Sequence, residues 1–247
     1  MDQPEGFAIK AASPNINNKK IIAPRTKHES KGLQFKVNKP PSYGWLEGQL
    51  EKEHVDFLWK QIKNHKNKDH KPRLIGNVSE SYSLEDEDNY FQNEVVRPLA
   101  RAYYQISGNT HPMRAYHESL VKYSLDLSTF WFNNQLKGEF NPFHDHGGIY
   151  SFVVWLKIPY DHEEQKKLPQ FKGTKAEDVK AGCFEFEYFD IFGRPSQYTF
   201  PLNSEYENMI VFFPSMFRHC AYPFYGTDET RVSVSGNLWL NTQNVID

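Results

Sequence analysis

Three consecutive residues that can bind a metal, His144, Asp145 and His146, lie in the segment FNPFHDHGGIYSFVVWLKIP. Imidazole nitrogens and carboxylate oxygens are the usual ligands of catalytic iron and zinc in proteins. On an extended backbone, side chains two residues apart point to the same face, and the residue between them points to the other. We therefore expect His144 and His146 to converge on one ion, with Asp145 directed away.

Two stretches further along the chain carry residues that fit the same kind of site. VFFPSMFRHCAYPF places His219 after an apolar strand, and RVSVSGNLWL alternates polar and apolar side chains from Arg231 onwards. If the polar face lines a small barrel, the guanidinium needs an anion, and a carboxylate that accepts two parallel hydrogen bonds is its best partner. Arg231 and Ser233 would then hold the far carboxylate of a small diacid. The alternative is a half-buried strand with its polar side in water.

The order of these elements closely resembles that of the 2-oxoglutarate- and iron(II)-dependent dioxygenases, in particular the prolyl-4-hydroxylase-like and phage-encoded oxygenases. A histidine pair stands at the start of one strand, and His219 follows 73 residues after His146. The Arg-x-Ser pattern begins 12 residues after His219. The resembling part runs from about Thr129 to Asn241, which is nearly half of the chain.

The resemblance implies a fold, an activity and a set of cofactors. The fold is a double-stranded β-helix, a cupin-like jelly roll, in a mainly β chain with supporting helices. The activity is hydroxylation of a peptidyl (proline-like) or small-molecule substrate, with conversion of the co-substrate 2-oxoglutarate and O₂ to succinate and CO₂. Ascorbate is a further candidate cofactor. Fe(II) would be held by three residues, which are also the catalytic candidates: His144, His146 and His219.

The resemblance also suggests which residues bind 2-oxoglutarate. Arg231 would pair with its C5 carboxylate, with help from the hydroxyl of Ser233. Asn133 and Tyr150 are softer candidates, because they occupy strand positions at which the family often places cavity residues. For Tyr150 the alternative is a core aromatic side chain whose hydroxyl is hydrogen-bonded.

The third metal ligand departs from the family pattern, which is His-x-Asp or His-x-Glu and gives two histidines and one carboxylate. Position 146 is a histidine, so the site would hold three neutral imidazoles. Some phage-type relatives carry His-x-His at this place, which favours His146. Asp145 is the alternative ligand, because Gly147 and Gly148 permit unusual backbone dihedrals next to it.

Two other functions fit the same residues. One is a cupin-like metalloprotein that uses three histidines without 2-oxoglutarate, in which case Arg231 is structural. The other is a jelly-roll binding module without catalytic activity. Metal binding that is insensitive to 2-oxoglutarate would favour the first, and the absence of metal binding would favour the second.

The elements that must position these residues follow from the periodicity of the sequence. GWLEGQLEKEHVDFLWKQIKNHK and SLEDEDNYFQNEVVRPLARAYYQIS carry apolar residues at helical spacing, which predicts two helices, the second kinked at Pro98. From about residue 120 the period becomes two, which predicts at least seven short strands. We therefore expect one domain over 45–247, with helical support in 45–110 and a jelly-roll core in 120–241. The polar stretch 160–182 is long for a loop and is typical of a lid or a disordered segment.

Composition bounds the remaining possibilities. Residues 1–44 carry eight basic side chains against three acidic ones, which predicts an extended basic arm and gives only weak support to nucleic-acid binding. The net charge is −2, only two cysteines occur, and no apolar run reaches the length of a membrane helix. The N-terminus also lacks a secretory pattern. These features predict a cytoplasmic protein that does not bind membranes. If the chain is phage-encoded, the cytoplasm is that of the host cell. The features do not indicate an oligomeric state.

Overall fold

The alternation of apolar and polar residues after position 120 produces strands, as its period of two predicts. The computed structural model describes residues 44–107, 122–190 and 192–243, and the strands within them form two antiparallel sheets. The strands are β1 (Leu46–Gln49), β2 (Glu80–Ser83), β3 (Lys122–Gln135), β4 (Asn141–His144), β5 (Tyr150–Lys157), β6 (Phe184–Phe189), β7 (Pro195–Phe200), β8 (Met209–Pro214), β9 (His219–Ala221) and β10 (Arg231–Gln243). The helices are α1 (Lys52–Lys63), α2 (Arg97–Ser107) and α3 (His162–Gln165).

The two sheets form the double-stranded β-helix that the sequence resemblance implies. The main sheet has the order β1-β8-β5-β10-β3-β2, and the second sheet has the order β4-β9-β6-β7. Strands that are distant in sequence lie side by side. For example, β10 pairs with β3 on one edge and with β5 on the other. This exchange of neighbours brings the segments around 144, 219 and 231 into one barrel.

The two faces of the main sheet pack against two different apolar clusters. One apolar cluster joins the outer face of the main sheet to the helices and includes Phe132, Phe152, Val234 and, from the helical side, Phe91. A second cluster fills the space between the sheets with residues such as Trp155, Phe186 and Phe213. Since Val232, Val234 and Leu238 of β10 face the helices, strand alternation directs Arg231, Ser233, Ser235 and Asn237 towards the second sheet.

The helical part differs in detail from the sequence prediction. Leu46 and Leu50 fit a helical stripe, yet residues Leu46–Gln49 form β1, which pairs with β8 at the edge of the main sheet. The helix begins only at Lys52. The second predicted helix consists of a π-helical turn, Gln92–Val96, that continues into α2. Pro98 lies inside this continuous helical segment, directly after the π-helical turn, which is the kind of local distortion that a proline within a helix causes.

Two connecting segments close the sides of the barrel. Residues 69–79 bridge the sheets, because Asp69 pairs with Tyr82 of β2 and Asn77 pairs with Phe140 next to β4. Residues 160–182, predicted as a lid or a disordered segment, are instead anchored to the fold. The side chain of Gln165 donates to the carbonyl of Tyr225 at 2.9 Å and accepts the N–H of Tyr225 at 2.8 Å.

Two predictions concern regions outside this fold. In the part of the chain that the structure describes, no helix is long and apolar enough to cross a membrane. The basic arm predicted for 1–44 lies, apart from Gly44, outside the described residues.

Candidate metal centre

Three histidines, from the end of β4, from the turn after it and from the start of β9, meet at one end of the barrel. His144 ends β4 and lies opposite His219, which opens β9. His146 follows two residues after the end of β4. One ring nitrogen from each side chain lies within 4.8 Å of the others, which is the arrangement a metal ion needs, and among the described residues only this group has it. The ring centroids of His144 and His219 are 4.3 Å apart.

Backbone carbonyls fix the orientation of two of the rings. Nδ1 of His144 lies 2.7 Å from the carbonyl oxygen of Pro142, and Nδ1 of His219 lies 2.8 Å from that of Phe217. A carbonyl oxygen can only accept, so Nδ1 carries the hydrogen in both rings. The Nε2 lone pairs therefore remain for a metal, and this carbonyl contact is the usual outer support of a metal-binding histidine.

Nε2 of His144 has a protein neighbour of its own. The side-chain nitrogen of Asn141 donates to it at 3.2 Å, while Oδ1 of Asn141 is buried without a hydrogen-bond partner. A metal on Nε2 would replace the Asn141 contact, and the amide would then be free to turn towards another group in the site.

His146 reaches the group although it lies outside the strand. Its backbone N–H donates to the carbonyl of Ser215 at 2.9 Å, and its ring lies edge-on to that of Trp131 at 5.7 Å. Asp145 is exposed and lies outside the metal-binding group. The histidine pair thus stands at the end of β4, and not at the start of a strand as the sequence suggested.

Gly148 makes the turn from the histidines into β5. Its φ of +102° lies in the region that favours glycine, and a Cβ there would be 2.7 Å from the carbonyl oxygen of Leu238. A Cβ on Gly147 would meet the ring of Trp239 at 2.9 Å. The two glycines therefore let the chain pass close to β10, which fixes where His146 is placed.

The electrostatics of the group keep all three rings neutral. Burial lowers the pKa of His146 to about 3, with smaller contributions from His144 and His70. Burial also lowers the pKa of His144, and it lowers the pKa of His219 well below the ordinary value. Neutral imidazoles keep the lone pairs with which they bind a metal.

Arg231 is a buried cation without an anionic partner among the described residues. It is 2 % exposed. Its Nη1 donates to the hydroxyl of Tyr160, and its Nη2 donates to Oε1 of Gln135 and, at 3.3 Å, to the carbonyl of Tyr222. These acceptors are all neutral, and the remaining N–H groups have no acceptor in the described part of the chain. A buried charge normally has a counter-ion, so this guanidinium fits an anionic ligand.

Unpaired polar atoms lie on the same inner face of the main sheet. Oγ of Ser81, Nε1 of Trp131 and Oδ1 of Asn133 are buried without hydrogen-bond partners. Ser81 lies opposite Asn133, which in turn lies opposite Ser233 on β10. Because buried polar groups are nearly always hydrogen-bonded, these unpaired atoms fit a polar ligand between the sheets.

The structure brings most, but not all, of the predicted residues to this interior. Asn133, Arg231 and Ser233 face it. Tyr150 instead lies in the apolar cluster between the main sheet and the helices, with its ring 4.9 Å from that of Phe212. The reason is strand alternation, because Tyr150 shares its face of β5 with Phe152. Its predicted place near the keto acid is therefore corrected to the alternative, a core aromatic.

Sequence reasoning missed Gln135, Tyr160 and Ser81. Strand alternation could have indicated Gln135, because it lies two residues after Asn133 on β3 and therefore on the same face, opposite Arg231. Tyr160 and Ser81 come from segments whose positions depend on the whole fold, so no local pattern marks them.

A pocket of about 320 Å³ opens above the histidines. Its lining includes His144, His146 and the exposed Asp145, and it also contains two arginines, Arg73 and Arg218. The remaining lining residues are Leu74, Ile75, Asn141 and Phe143. The arrangement is that of a partly buried histidine group below a solvent-accessible pocket.

Comparison with known families gives one match. Residues 129–237 match the family described as "Putative 2OG-Fe(II) oxygenase", and this segment contains the three histidines and Arg231. The resemblance inferred from the sequence is therefore confirmed over these residues. Comparison with curated proteins gives no significant match.

Comparison with solved structures finds similar chains at low identity and with TM-scores below 0.5. A prolyl-4-hydroxylase from Pseudomonas putida is 16% identical, with a TM-score of 0.43, and the match covers 80% of this chain and 93% of that one. An oxidoreductase of the 2OG-Fe(II) oxygenase family from Burkholderia pseudomallei is 13% identical, with a TM-score of 0.40 and coverages of 81% and 85%. A viral collagen prolyl hydroxylase from Paramecium Bursaria Chlorella virus-1, in complex with 2OG, is 12% identical, with a TM-score of 0.39 and coverages of 79% and 94%.

Proposed function

We propose that the chain is an Fe(II)- and 2-oxoglutarate-dependent oxygenase that hydroxylates a peptidyl (proline-like) or small-molecule substrate. The observation that carries the proposal is a pair of features inside the family-matched segment. Three neutral histidines converge at one end of the barrel. A buried arginine, whose acceptors among the described residues are all neutral, faces the same interior. The first feature suits a metal ion and the second suits a carboxylate.

In this proposal, His144, His146 and His219 hold the iron through their neutral imidazoles. The chain keeps these rings ready by burial, which prevents their protonation, and by the backbone carbonyls that bind Nδ1 of His144 and His219. When bound, Fe(II) and 2-oxoglutarate supply the oxidising chemistry, in which the keto acid and O₂ become succinate and CO₂ and the substrate gains a hydroxyl group.

Arg231 holds the distal carboxylate of 2-oxoglutarate, and Gln135 and Tyr160 hold the guanidinium in place from either side. Ser233, Asn133 and the unpaired hydroxyl of Ser81 lie on the same inner face and supply further hydrogen bonds to the keto acid. A fixed guanidinium in a water-poor interior binds a carboxylate more strongly than an exposed one does.

The substrate enters through the pocket above the histidines. Its volume of about 320 Å³ admits one side chain or a small molecule, at the lower end of the range of ligand pockets. The chain's contribution to the reaction is to place the target carbon beside the histidine cluster and to keep bulk water from it.

The test uses the purified full chain with Fe(II), 2-oxoglutarate and ascorbate. We expect one equivalent of metal to bind, 2-oxoglutarate to bind only to the metal-loaded protein, and succinate to form slowly without added substrate. His144→Ala and His219→Ala should lose the metal, whereas His65→Gln should not, because His65 lies on the helical side against Phe132. If the wild-type protein binds neither metal nor keto acid, the proposal is wrong.

A second function is favoured by one observation, which is that the metal-binding group contains three imidazoles and no carboxylate. A cupin-like metalloprotein that oxidises or isomerises its substrate without a keto acid would use such a group. Metal affinity that does not change when 2-oxoglutarate is added, together with wild-type behaviour of Arg231→Met, would select this alternative.

A further inference from the structure

The pocket above the histidines has two arginines in its wall and one carboxylate, that of Asp145. Neither arginine belongs to the histidine cluster or to the Arg231 site. Their positions bear on what kind of substrate the pocket accepts, a question that the proposed function leaves open.

Arg218 is held so that part of its guanidinium faces the pocket. Its Nη1 pairs with Oε2 of Glu187, and its guanidinium lies 5.9 Å from the ring centroid of Phe143, another lining residue. The side chain is 51% exposed, and it directly precedes His219 in the sequence. The ion pair with Glu187 fixes one edge of the guanidinium and leaves Nε and Nη2 for a ligand.

Arg73 reaches the same pocket from another part of the chain, the 69–79 segment. This segment is held at both ends by the pairs Asp69–Tyr82 and Asn77–Phe140. Near its middle, Gly76 runs so close to β4 that a Cβ would lie 2.4 Å from Oδ1 of Asn141. Arg73 is therefore carried by a fixed wall of the pocket.

The charges around the pocket do not cancel. In the described part of the chain, Arg73 has no ion pair or side-chain hydrogen bond, and Glu187 compensates only Arg218. Asp145 is the one carboxylate in the lining and is exposed to solvent. Because the histidines are neutral, a bound divalent metal would add further positive charge below the two guanidinium groups.

We propose that Arg73 and Arg218 bind a carboxylate of the substrate, so that the enzyme selects a small molecule or peptide carrying a carboxylate close to the carbon that is oxidised. This inference rests on the proposed function, because it names the substrate class of the same site. A planar guanidinium donates two parallel hydrogen bonds to a carboxylate, and two guanidinium groups from different segments of the lining fix its position above the metal site. Ile75, 63% exposed, and Phe143 contact the apolar part of such a substrate.

The test compares probes that differ only in charge. The full chain is loaded with Zn(II) in place of iron and saturated with 2-oxoglutarate, so that the Arg231 site is filled. It is then titrated calorimetrically with N-acetylproline and N-acetylprolinamide, and with acetyl-Glu-Pro-Glu-amide and acetyl-Gln-Pro-Gln-amide. We expect the acidic member of at least one pair to bind about 10- to 100-fold more tightly than its amide, from the loss of charged hydrogen bonds.

Variants show whether the arginines cause this preference. It should fall to within about threefold in Arg73→Gln combined with Arg218→Gln, whereas Arg101→Gln, an exposed arginine on α2, should keep it. The preference should also weaken in 1 M salt, because the pocket mouth is open to solvent. All variants should still bind zinc and 2-oxoglutarate.

Three results would overturn the inference. They are equal binding of both members in each pair, a preference that survives the double substitution, and no binding of any acidic probe. A ten-nucleotide thymidine strand that binds in place of the carboxylates, and is lost in the double variant, would assign the arginines to phosphate instead. If zinc or 2-oxoglutarate fails to bind to the wild-type protein, it is the proposed function that is wrong, and not the charge preference alone.

Discussion

The buried Arg231 gives the sharpest prediction, because one substitution separates co-substrate binding from metal binding. Arg231→Met removes the cation and fills the space with an unbranched apolar side chain. If a carboxylate of 2-oxoglutarate pairs with this guanidinium, breaking the buried pair should cost about 3–5 kcal/mol of binding free energy. Since about 1.4 kcal/mol corresponds to a tenfold change, the Kd for 2-oxoglutarate should rise by a factor of between about 100 and a few thousand.

Thermal unfolding of the metal-loaded protein measures this effect without any turnover. At a ligand concentration of 100 times the wild-type Kd, binding should stabilise the wild-type protein by about 2.7 kcal/mol. For a chain of this size each kcal/mol raises Tm by about 2–4 °C, so we expect a rise of about 5–11 °C. Arg231→Met at the same concentration should show a rise of no more than about 1 °C.

The metal should remain bound in this variant, because Arg231 is not among the metal-binding residues. Arg97→Met provides the matched control, since Arg97 pairs with Asp126 on the helical side of the main sheet. That control should respond to 2-oxoglutarate as the wild-type protein does. An Arg231→Met protein that binds metal and keeps the full shift with 2-oxoglutarate would refute the assignment of this arginine.

Three further predictions concern stability and reactivity. Cys183 and Cys220 are buried and burial raises the pKa of each thiol to about 12, so iodoacetamide followed by mass spectrometry should label them only after unfolding. Burial lowers the pKa of His70 to about 4, below its ordinary 6.5. As the pH falls, His70 of the unfolded state therefore binds a proton before His70 of the folded state does. The free energy of unfolding should be constant above pH 6.5 in this respect and should decrease between pH 6.5 and pH 4. Urea titrations across this range should show a smaller decrease for His70→Phe. Gly148→Ala should cost at least about 2 kcal/mol in the same titrations, more than the about 1 kcal/mol of Gly138→Ala, because both have positive φ but only the first meets a carbonyl oxygen.

The sequence predicted which residues come together in the barrel better than it predicted the helical support. Strand alternation and the order of elements along the chain single out His144, His219 and Arg231. Alternation can be read from neighbouring residues, and the order shared with the family indicates which distant segments lie together. Leucine spacing at 46 and 50 indicates a helix, but pairing with β8 makes that stretch an edge strand. A short apolar pattern fits both elements, and only tertiary contacts decide between them.

Parity alone also cannot say which face of a strand meets the ligand. Tyr150 shows this, since its strand is buried on both sides and its own side faces the helices. Arg73 shows the complementary limit. It enters the pocket on a segment whose position depends on two bridges to distant strands, so nothing in its neighbours along the chain marks it as part of the site.

In the proposed site, a third imidazole in place of a carboxylate should make the binding of metal and the binding of keto acid depend on each other. With His-x-Asp, a carboxylate would neutralise part of the metal charge, and the metal would bind well alone. Here the metal-binding group is neutral, and the buried carboxylate of Glu185 is paired elsewhere, with Lys180. A divalent ion and Arg231 together place three positive charges in the barrel interior, and the dianion 2-oxoglutarate offsets most of them. Each ligand should therefore raise the affinity for the other, a coupling that reciprocal titrations measure directly. His146→Asp should weaken this coupling, because it supplies one negative charge before the keto acid arrives.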